Sequence, residues 1–331
     1  MTRTEEALAY WVIGAGRGEL RREPLPAPAS GEITVQTLYS GVSRGTESLV
    51  FNGRVPESEH QRMRAPFQRG DFPFPVKYGY ANVGQVVDGS PELAGKTVFS
   101  LYPHQDRYNV PVTAVHEIPP SVPASRAVLA ANLETALNGV WDAGVRPGDR
   151  VTVVGAGTVG CLVAWLVARI PGCTVELVDI NAGRSAIAAA LGAAFSQPAT
   201  ARVGTDIVFH ASGSAPGLQL AVNVAGFEAT IVELSWYGAG TVVLSLGGAF
   251  HSQRLTLKSS QVGAVADAQR ARWTFRRRME LALSLLSDPA LDVLINSTSH
   301  FQDLPETMRR LASAPGDVIM HRVAYESVRG R

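Results

Sequence analysis

The chain has 331 residues, with 30 Lys and Arg set against 29 Asp and Glu, and 46% of it is hydrophobic. That length is too great for one ordinary core and supports two domains. The charge balance lacks the basic excess that nucleic acid or an anionic membrane surface would demand, so a small, near-neutral molecule is the expected partner. The two cysteines, Cys161 and Cys173, are too few for a disulfide scaffold and lack the paired spacing of a zinc ribbon, which points to a reducing, cytoplasmic compartment. Residues 1–20 contain Glu5 and Glu6 and no unbroken apolar stretch, and the most hydrophobic segment, VGCLVAWLVARI, is cut by Arg169. Neither export nor a membrane span is expected.

The first 130 residues alternate short β-rich pieces (EITVQTLYSGV, YANVGQVVDG, KTVFSLYP, RYNVPVTAV) with Gly and Pro turns. Helical periodicity is almost absent there, which predicts a small, mostly antiparallel barrel or sandwich. Between these pieces, HQRMRAPFQRGDFPFP (60–75) is an aromatic and basic loop that either caps a cleft or packs on the surface.

The pattern changes at VTVVGAGTVG, Val151 to Gly160. VTVV reads as a buried strand. After the glycines, Val159, Leu162, Val163, Leu166, Val167 and Ile170 recur at helical spacing. Pro171 and Gly172 stop the helix, and CTVELVD reads as a second strand ending in Asp179, about 20 residues after the last glycine. This is a βαβ unit with an acid at its tip. In such a unit Gly155 permits the sharp turn, Gly157 lets backbone amides approach a pyrophosphate, and Gly160 lets the helix pack on the strand. Thr158 and Val159 complete the phosphate-facing turn. Asp179 can accept hydrogen bonds from a ribose diol and would repel a 2′-phosphate, so NAD(H) is favoured over NADP(H). The competing reading is a structural glycine turn in another α/β sheet.

TDIVFHASGS then reads as a buried strand running into a small-residue loop. Ala211, Ser212 and Gly213 would lie at the carboxyl edge of the sheet, either meeting the nicotinamide ribose or forming an ordinary βα loop. AGFEATIVELSWYG predicts a helix end and a fifth strand, and GTVVLSL and QRLTLKSS predict further strands. FRRRMELALSLLSDP and LPETMRRLASA read as helices before a closing strand DVIMHRVAY. Arg276, Arg277 and Arg278 read as a solvated helix face, since no aromatic is interleaved for base stacking.

Taken together, YSGVSRGTES, VKYGYANVGQVV, AGVRPGDRVTVVGAGTVG, VDINAGR and INSTSHF make the chain resemble the medium-chain dehydrogenase/reductase superfamily. GVSRGTESLVFNGRVP with PVKYGYANVG is most similar to its bacteriochlorophyllide and threonine-dehydrogenase-like branch. The resemblance implies an α/β fold: a GroES-like, mostly β barrel catalytic domain at 1–130, completed by 264–331, and a Rossmann doubly wound parallel sheet at 131–263. It also implies a homodimer. The zinc pattern breaks, however. Where zinc-dependent members carry Cys, His, and Cys or Glu, this chain has Ser43, Tyr80 and, at the third position, Ala131, and the cysteines of a structural zinc lobe are missing. No catalytic or structural zinc is expected. His104 with the two carboxylates Glu47 and Glu134, on different loops, is the alternative ligand set. Arg44 matches a pyrophosphate contact of relatives, and Arg184 matches a basic residue at the adenosine ribose; surface ion pairs are the alternative for both.

Without zinc, another donor must polarise a substrate oxygen. Tyr80, at the lost histidine position, is one candidate. His104 is a second, as general acid or base, and Ser43 a third. Tyr102 and Lys77 are expected in the substrate pocket. The reading is a zinc-independent, NAD-dependent oxidoreductase acting on an alcohol/carbonyl pair. A quinone or enoyl reductase of the same superfamily, a non-catalytic dinucleotide-binding redox sensor and, on the glycine loop alone, a methyltransferase are the alternatives.

Overall fold

The computed structural model describes residues 5–326. The chain divides into two compact units: the described parts of Met1–Ala131, Leu283–Asp288 and Ile295–Arg331 form one, and Asn132–Ala282 with Pro289–Leu294 form the other. Residues 264–282, grouped with the front domain in the sequence reading, pack with the second unit.

The front unit opens with an antiparallel hairpin, β1 (Glu5–Gly14) and β2 (Arg17–Leu25), followed by the long β3 (Glu32–Val42). Where strands alone were expected, the GTESLVF stretch forms helix α1 (Arg44–Phe51). Its start is local chemistry: the Glu47 carboxylate folds back one turn to accept the Ser43 N–H at 2.8 Å, satisfying an amide that the helix leaves unpaired. Short strands follow: β4 (Arg69–Gly70), β5 (Val76–Lys77), β6 (Asn82–Asp88), β7 (Thr97–Ser100), β8 (Arg107–Pro111) and β9 (Val115–Glu117). One sheet runs β2-β1-β5-β4, and a larger one contains β3-β6-β7-β9 with β8 also paired to β3. Inward residues of the larger sheet, among them Ile33, Val35, Val98, Tyr108 and Val110, make a buried core.

After α2 (Ala124–Ala127) and α3 (Ala130–Ala143) the strand period gives way to βα alternation. In order come β10 (Arg150–Val154), α4 (Thr158–Val167), β11 (Thr174–Val178), α5 (Ser185–Ala190), β12 (Ala194–Ser196), β13 (Thr205–His210), α6 (Ala215–Val224), β14 (Ala225–Glu233), α7 (Ala249–Ser252) and β15 (Thr256–Ser259). All six strands are parallel, in the order β12-β11-β10-β13-β14-β15. This is the doubly wound order, which reverses direction between β10 and β13. Val151, Val153, Leu177, Val208 and Ile231 are buried, as both-face-covered strands require. The expected strand at residues 240–246 is irregular instead, and only Thr256–Ser259 extends the sheet.

Helix α8 (Phe275–Leu285) corrects a second expectation. Arg276 and Arg277 are exposed, but Arg278 is fully buried. Its guanidinium donates to Glu134 Oε1 at 3.0 Å, Asn138 Oδ1 at 2.6 Å and the carbonyls of Val262 and Ala264. That binding occupies Glu134 and ties residues 262–264 to α3. The chain then returns to the front unit: β16 (Ser297–His300) and β17 (His321–Ala324), with α9 (Leu304–Ser313) between them in sequence, add to its larger sheet, β17 antiparallel to β3 and parallel to β16.

Candidate functional sites in the two units

In the second unit the glycine turn sits where the sheet reverses. Gly155 adopts φ +108°, and a side chain there would place Cβ 2.6 Å from the Ser212 nitrogen. A Cβ on Gly160 would lie 1.9 Å from the Gly155 carbonyl oxygen, so the first turn of α4 presses directly on the loop. Gly157, the residue before α4, faces open space. These are the steric terms of a phosphate cradle: two glycines required by the protein's own packing, and one leaving room for a ligand. Thr158 and Val159 open the helix whose N-terminus carries the favourable dipole for an anion.

Asp179 follows β11, and both of its oxygens are engaged. Oδ2 accepts the Ala156 N–H at 2.7 Å inside the glycine turn, and Oδ1 accepts the Asn181 N–H at 2.8 Å. Each carboxylate oxygen keeps further lone-pair capacity for a diol. Arg184, on the turn after Asn181, is buried. Ala211 binds back to the β10 end, its N–H donating to the Val154 carbonyl at 2.8 Å, and this places the Ala211–Gly213 loop beside the glycine turn. The dinucleotide-contacting residues expected within this unit therefore share one sheet edge. The residues present fit a dinucleotide.

Sequence reading missed a polar cluster on the same edge. His210 and Glu233 are register partners at the ends of β13 and β14. His210 is fully buried, its Nδ1 lies 2.8 Å from Glu233 Oε2, and its Nε2 lies 2.6 Å from Ser212 Oγ. Tyr237 donates its hydroxyl to Glu233 Oε2 at 2.8 Å, and the Ser235 N–H donates to Oε1 at 2.7 Å. Burial raises the Glu233 pKa, yet hydrogen bonds led by His210 outweigh it and hold the carboxyl below its ordinary range. Aligning the carboxyl ends of TDIVFH and ATIVE as adjacent parallel strands would have paired the two residues.

In the front unit, Ser43, Glu47, Tyr80 and His104 come together. Glu47 is buried and holds the Ser43 N–H through Oε1 and the His104 Nε2 through Oε2 at 2.9 Å. Since the carboxylate accepts, Nε2 carries the proton and Nδ1 accepts from the Ser40 hydroxyl at 2.7 Å, which in turn lies 3.0 Å from the Tyr325 hydroxyl. His104 is 1% exposed and both ring nitrogens are bonded, so as it stands it positions Glu47 and offers no free nitrogen to a ligand. Gly79 makes room for that ring: its Cβ would fall 2.9 Å from His104 Cδ2.

Tyr80 is partly exposed, and its hydroxyl interacts with Ser43 and Thr46. Burial of that hydroxyl, helped by the Glu47 charge and opposed by those two hydrogen bonds, pushes its pKa up to about 12. The hydroxyl stays protonated at neutral pH and is a donor. Two expected pocket residues belong elsewhere. Lys77 is completely buried, with Nζ 2.7 Å from both Glu23 and Gln105. Tyr102 stacks on Tyr108 with ring centroids 3.7 Å apart and on Phe67 at 5.4 Å, inside the barrel core. Their burial satisfies them within the fold and leaves neither to face a substrate. Arg44 donates to the Val318 carbonyl at 3.1 Å.

Zinc does not fit these residues. Ser43 and Tyr80 offer only hydroxyl oxygens, Glu47 and His104 are bonded to one another, and Glu134 belongs to Arg278. Among the described residues no group of three or more His, Cys, Asp or Glu side chains is placed to hold a metal ion. No described helix is long and apolar enough to cross a membrane.

A doubly wound, dinucleotide-type sheet and a GroES-like β unit make up the fold. Comparison with models of protein families returns no match. Among curated proteins, the chain is 25% identical over 311 residues to D-guloside 3-dehydrogenase of Escherichia coli K12, covering 84% of this chain and 88% of that one. A 68-residue stretch, 20% of this chain and 18% of the other, is 35% identical to 2-desacetyl-2-hydroxyethyl bacteriochlorophyllide A dehydrogenase of Cereibacter sphaeroides. Among solved structures, a dehydrogenase described as zinc-binding from Sinorhizobium meliloti, bound to NADP, superposes with TM-score 0.78 at 18% identity over 97% of this chain and 99% of that one. An alcohol dehydrogenase from Escherichia coli CFT073 complexed with NADH gives 0.76 at 16% identity over 96% and 99%. These relatives are dehydrogenases, and the chain is similar to the medium-chain dehydrogenase/reductase superfamily in sequence and in fold.

Proposed function

We propose that this protein is a zinc-independent, NAD(H)-dependent oxidoreductase that interconverts a small alcohol and its carbonyl partner, acting in the cytoplasm as a homodimer. The observation that carries the cofactor half is the Asp179 clamp, a carboxylate fixed by the Ala156 and Asn181 amides beside the glycine turn. Gly155, Gly157, Thr158, Val159 and Gly160 would hold the pyrophosphate, Asp179 and Arg184 the adenosine ribose, and Ala211, Ser212 and Gly213 the nicotinamide ribose. When bound, the nicotinamide supplies or receives the hydride.

The chain's own task is to manage charge on the substrate oxygen. Tyr80 is the group assigned to it. A protonated hydroxyl with pKa about 12 donates a hydrogen bond to an oxygen that becomes alkoxide-like, and it gains most when that charge is fullest. Ser43 and Thr46 orient the Tyr80 hydroxyl, while His104 fixes the Glu47 carboxylate that holds the Ser43 amide.

The test is a binding titration of NADH against NADPH. The wild-type chain is expected to bind NADH more tightly. Asp179→Ala is expected to weaken NADH at least several-fold and to relax discrimination against NADPH, because the charge that repels a 2′-phosphate is gone. Equal selectivity in both proteins would remove Asp179 from the ribose site.

A further inference from the structure

Hydride transfer has no use for the buried pair beneath Ser212. The ends of β13 and β14 set His210 beside Glu233 by register, and Glu233 is pinned by the Ser235 amide at 2.7 Å and the Tyr237 hydroxyl at 2.8 Å. An ionised carboxylate only accepts, so at 2.8 Å it takes the Nδ1–H of His210. The Ser235 and Tyr237 hydroxyls also approach Nδ1, but at 3.3 Å. The shorter contact fixes the tautomer. Nε2 is thus left as a lone pair 2.6 Å from Ser212 Oγ, and the serine hydroxyl donates to it.

Accessibility follows the same polarity. His210 is fully buried, whereas Ser212 is exposed. The surrounding backbone leaves room for the pair: Gly213 adopts φ +66°, and a Cβ on Gly217 would lie 2.1 Å from Ser212 Oγ and 2.9 Å from His210 Nε2. Ser214 Oγ lies 2.9 Å from Ser212 Oγ and caps α6, a ten-residue helix whose dipole favours negative charge near its start. Exposed hydroxyl, shielded base and orienting carboxylate, on a strand-to-helix turn, are the parts of a nucleophilic triad in their working order.

We propose that Ser212 is a base-activated nucleophile, with His210 as its base and Glu233 as the orienting acid, able to accept acyl or sulfonyl groups from small activated electrophiles. With a sulfonyl fluoride, the Ser212 Oγ–S bond forms as the S–F bond breaks. Fluoride leaves with the bonding pair, and the hydroxyl proton passes to His210 Nε2 and then to water.

The experiment treats the full chain, without dinucleotide, with phenylmethylsulfonyl fluoride and follows intact mass and peptide mapping. Labelling requires no cofactor, so its failure and the failure of the hydride-transfer reading are separable. One adduct per chain is expected, on Ser212, absent in Ser212→Ala, with the labelling rate down at least about 100-fold in His210→Gln and about 10-fold in Glu233→Gln. Circular dichroism checks that each variant is folded. If His210→Gln fails to fold, Glu233→Gln and Tyr237→Phe carry the comparison, since both preserve shape. No adduct on the wild type, an adduct elsewhere, or an unchanged rate in the folded variants would overturn the proposal.

Discussion

The surroundings of Tyr80 make it a hydrogen-bond donor that does not ionise near neutrality. Removing the hydroxyl while keeping the ring isolates that role. Tyr80→Phe is expected to lower kcat about 10- to 100-fold while changing the Kd for NADH less than twofold, as steady-state kinetics and a fluorescence titration would measure. A wild-type rate would assign Tyr80 to packing against Tyr78, with which it makes an edge contact at 6.0 Å. The candidacy of Asp179 was legible because it ends the strand after a glycine turn, and those of Ser43 and Tyr80 because the family resemblance matches them to ligand positions. Those of Lys77 and Tyr102 were not. The burial of Lys77 depends on Glu23 and Gln105, far from it in sequence, and that of Tyr102 on stacking against Tyr108, which no local period signals.

At the level of elements, the βαβ unit was readable because its strand, turn and helix are contiguous and each obeys a local period. Gly160 shows how tightly that unit is built. Gly160→Ala would drive a methyl group into the Gly155 carbonyl oxygen, and a loss of about 1–3 kcal/mol is expected in denaturant unfolding, with weaker NADH binding because the turn itself must move. Helix α1 escaped notice because eight residues between strands carry little periodicity, and its start depends on Glu47 folding back. Strand β17 yields a prediction about acid. His321 is buried between Ser297 and Ser299, whose hydroxyls lie 2.8 and 2.9 Å from its ring nitrogens. Burial, aided by Arg310 and His104, pushes its pKa down to about 4. The unfolded chain binds that proton first, so the stability His321 confers is complete above about pH 6.5 and declines as pH falls toward 4, by up to about 3 kcal/mol. Urea midpoints between pH 7 and pH 4.5 should fall more steeply in the wild type than in His321→Gln; parallel slopes would mean that other groups govern the acid limb.

For the molecule as a whole, the two-unit organisation and the family were accessible from sequence, because a β-rich half and a βα-alternating half differ in period. The His210, Glu233 and Ser212 cluster was not, since it is assembled by parallel strand register and depends on which strands are neighbours. The same holds for Arg278, which composition assigns to solvent and which the fold spends on Glu134 and Asn138. The proposed zinc independence rests on both levels: the resemblance puts Ser43 and Tyr80 where zinc ligands are expected, and Glu47 and His104 are bonded to one another. Metal analysis of protein prepared without a tag or chelator addresses that claim most directly. Zinc below about one-tenth of an equivalent per chain, in protein that binds NADH, is the expected result. One equivalent of zinc per chain would contradict it and require a mechanism built around the metal.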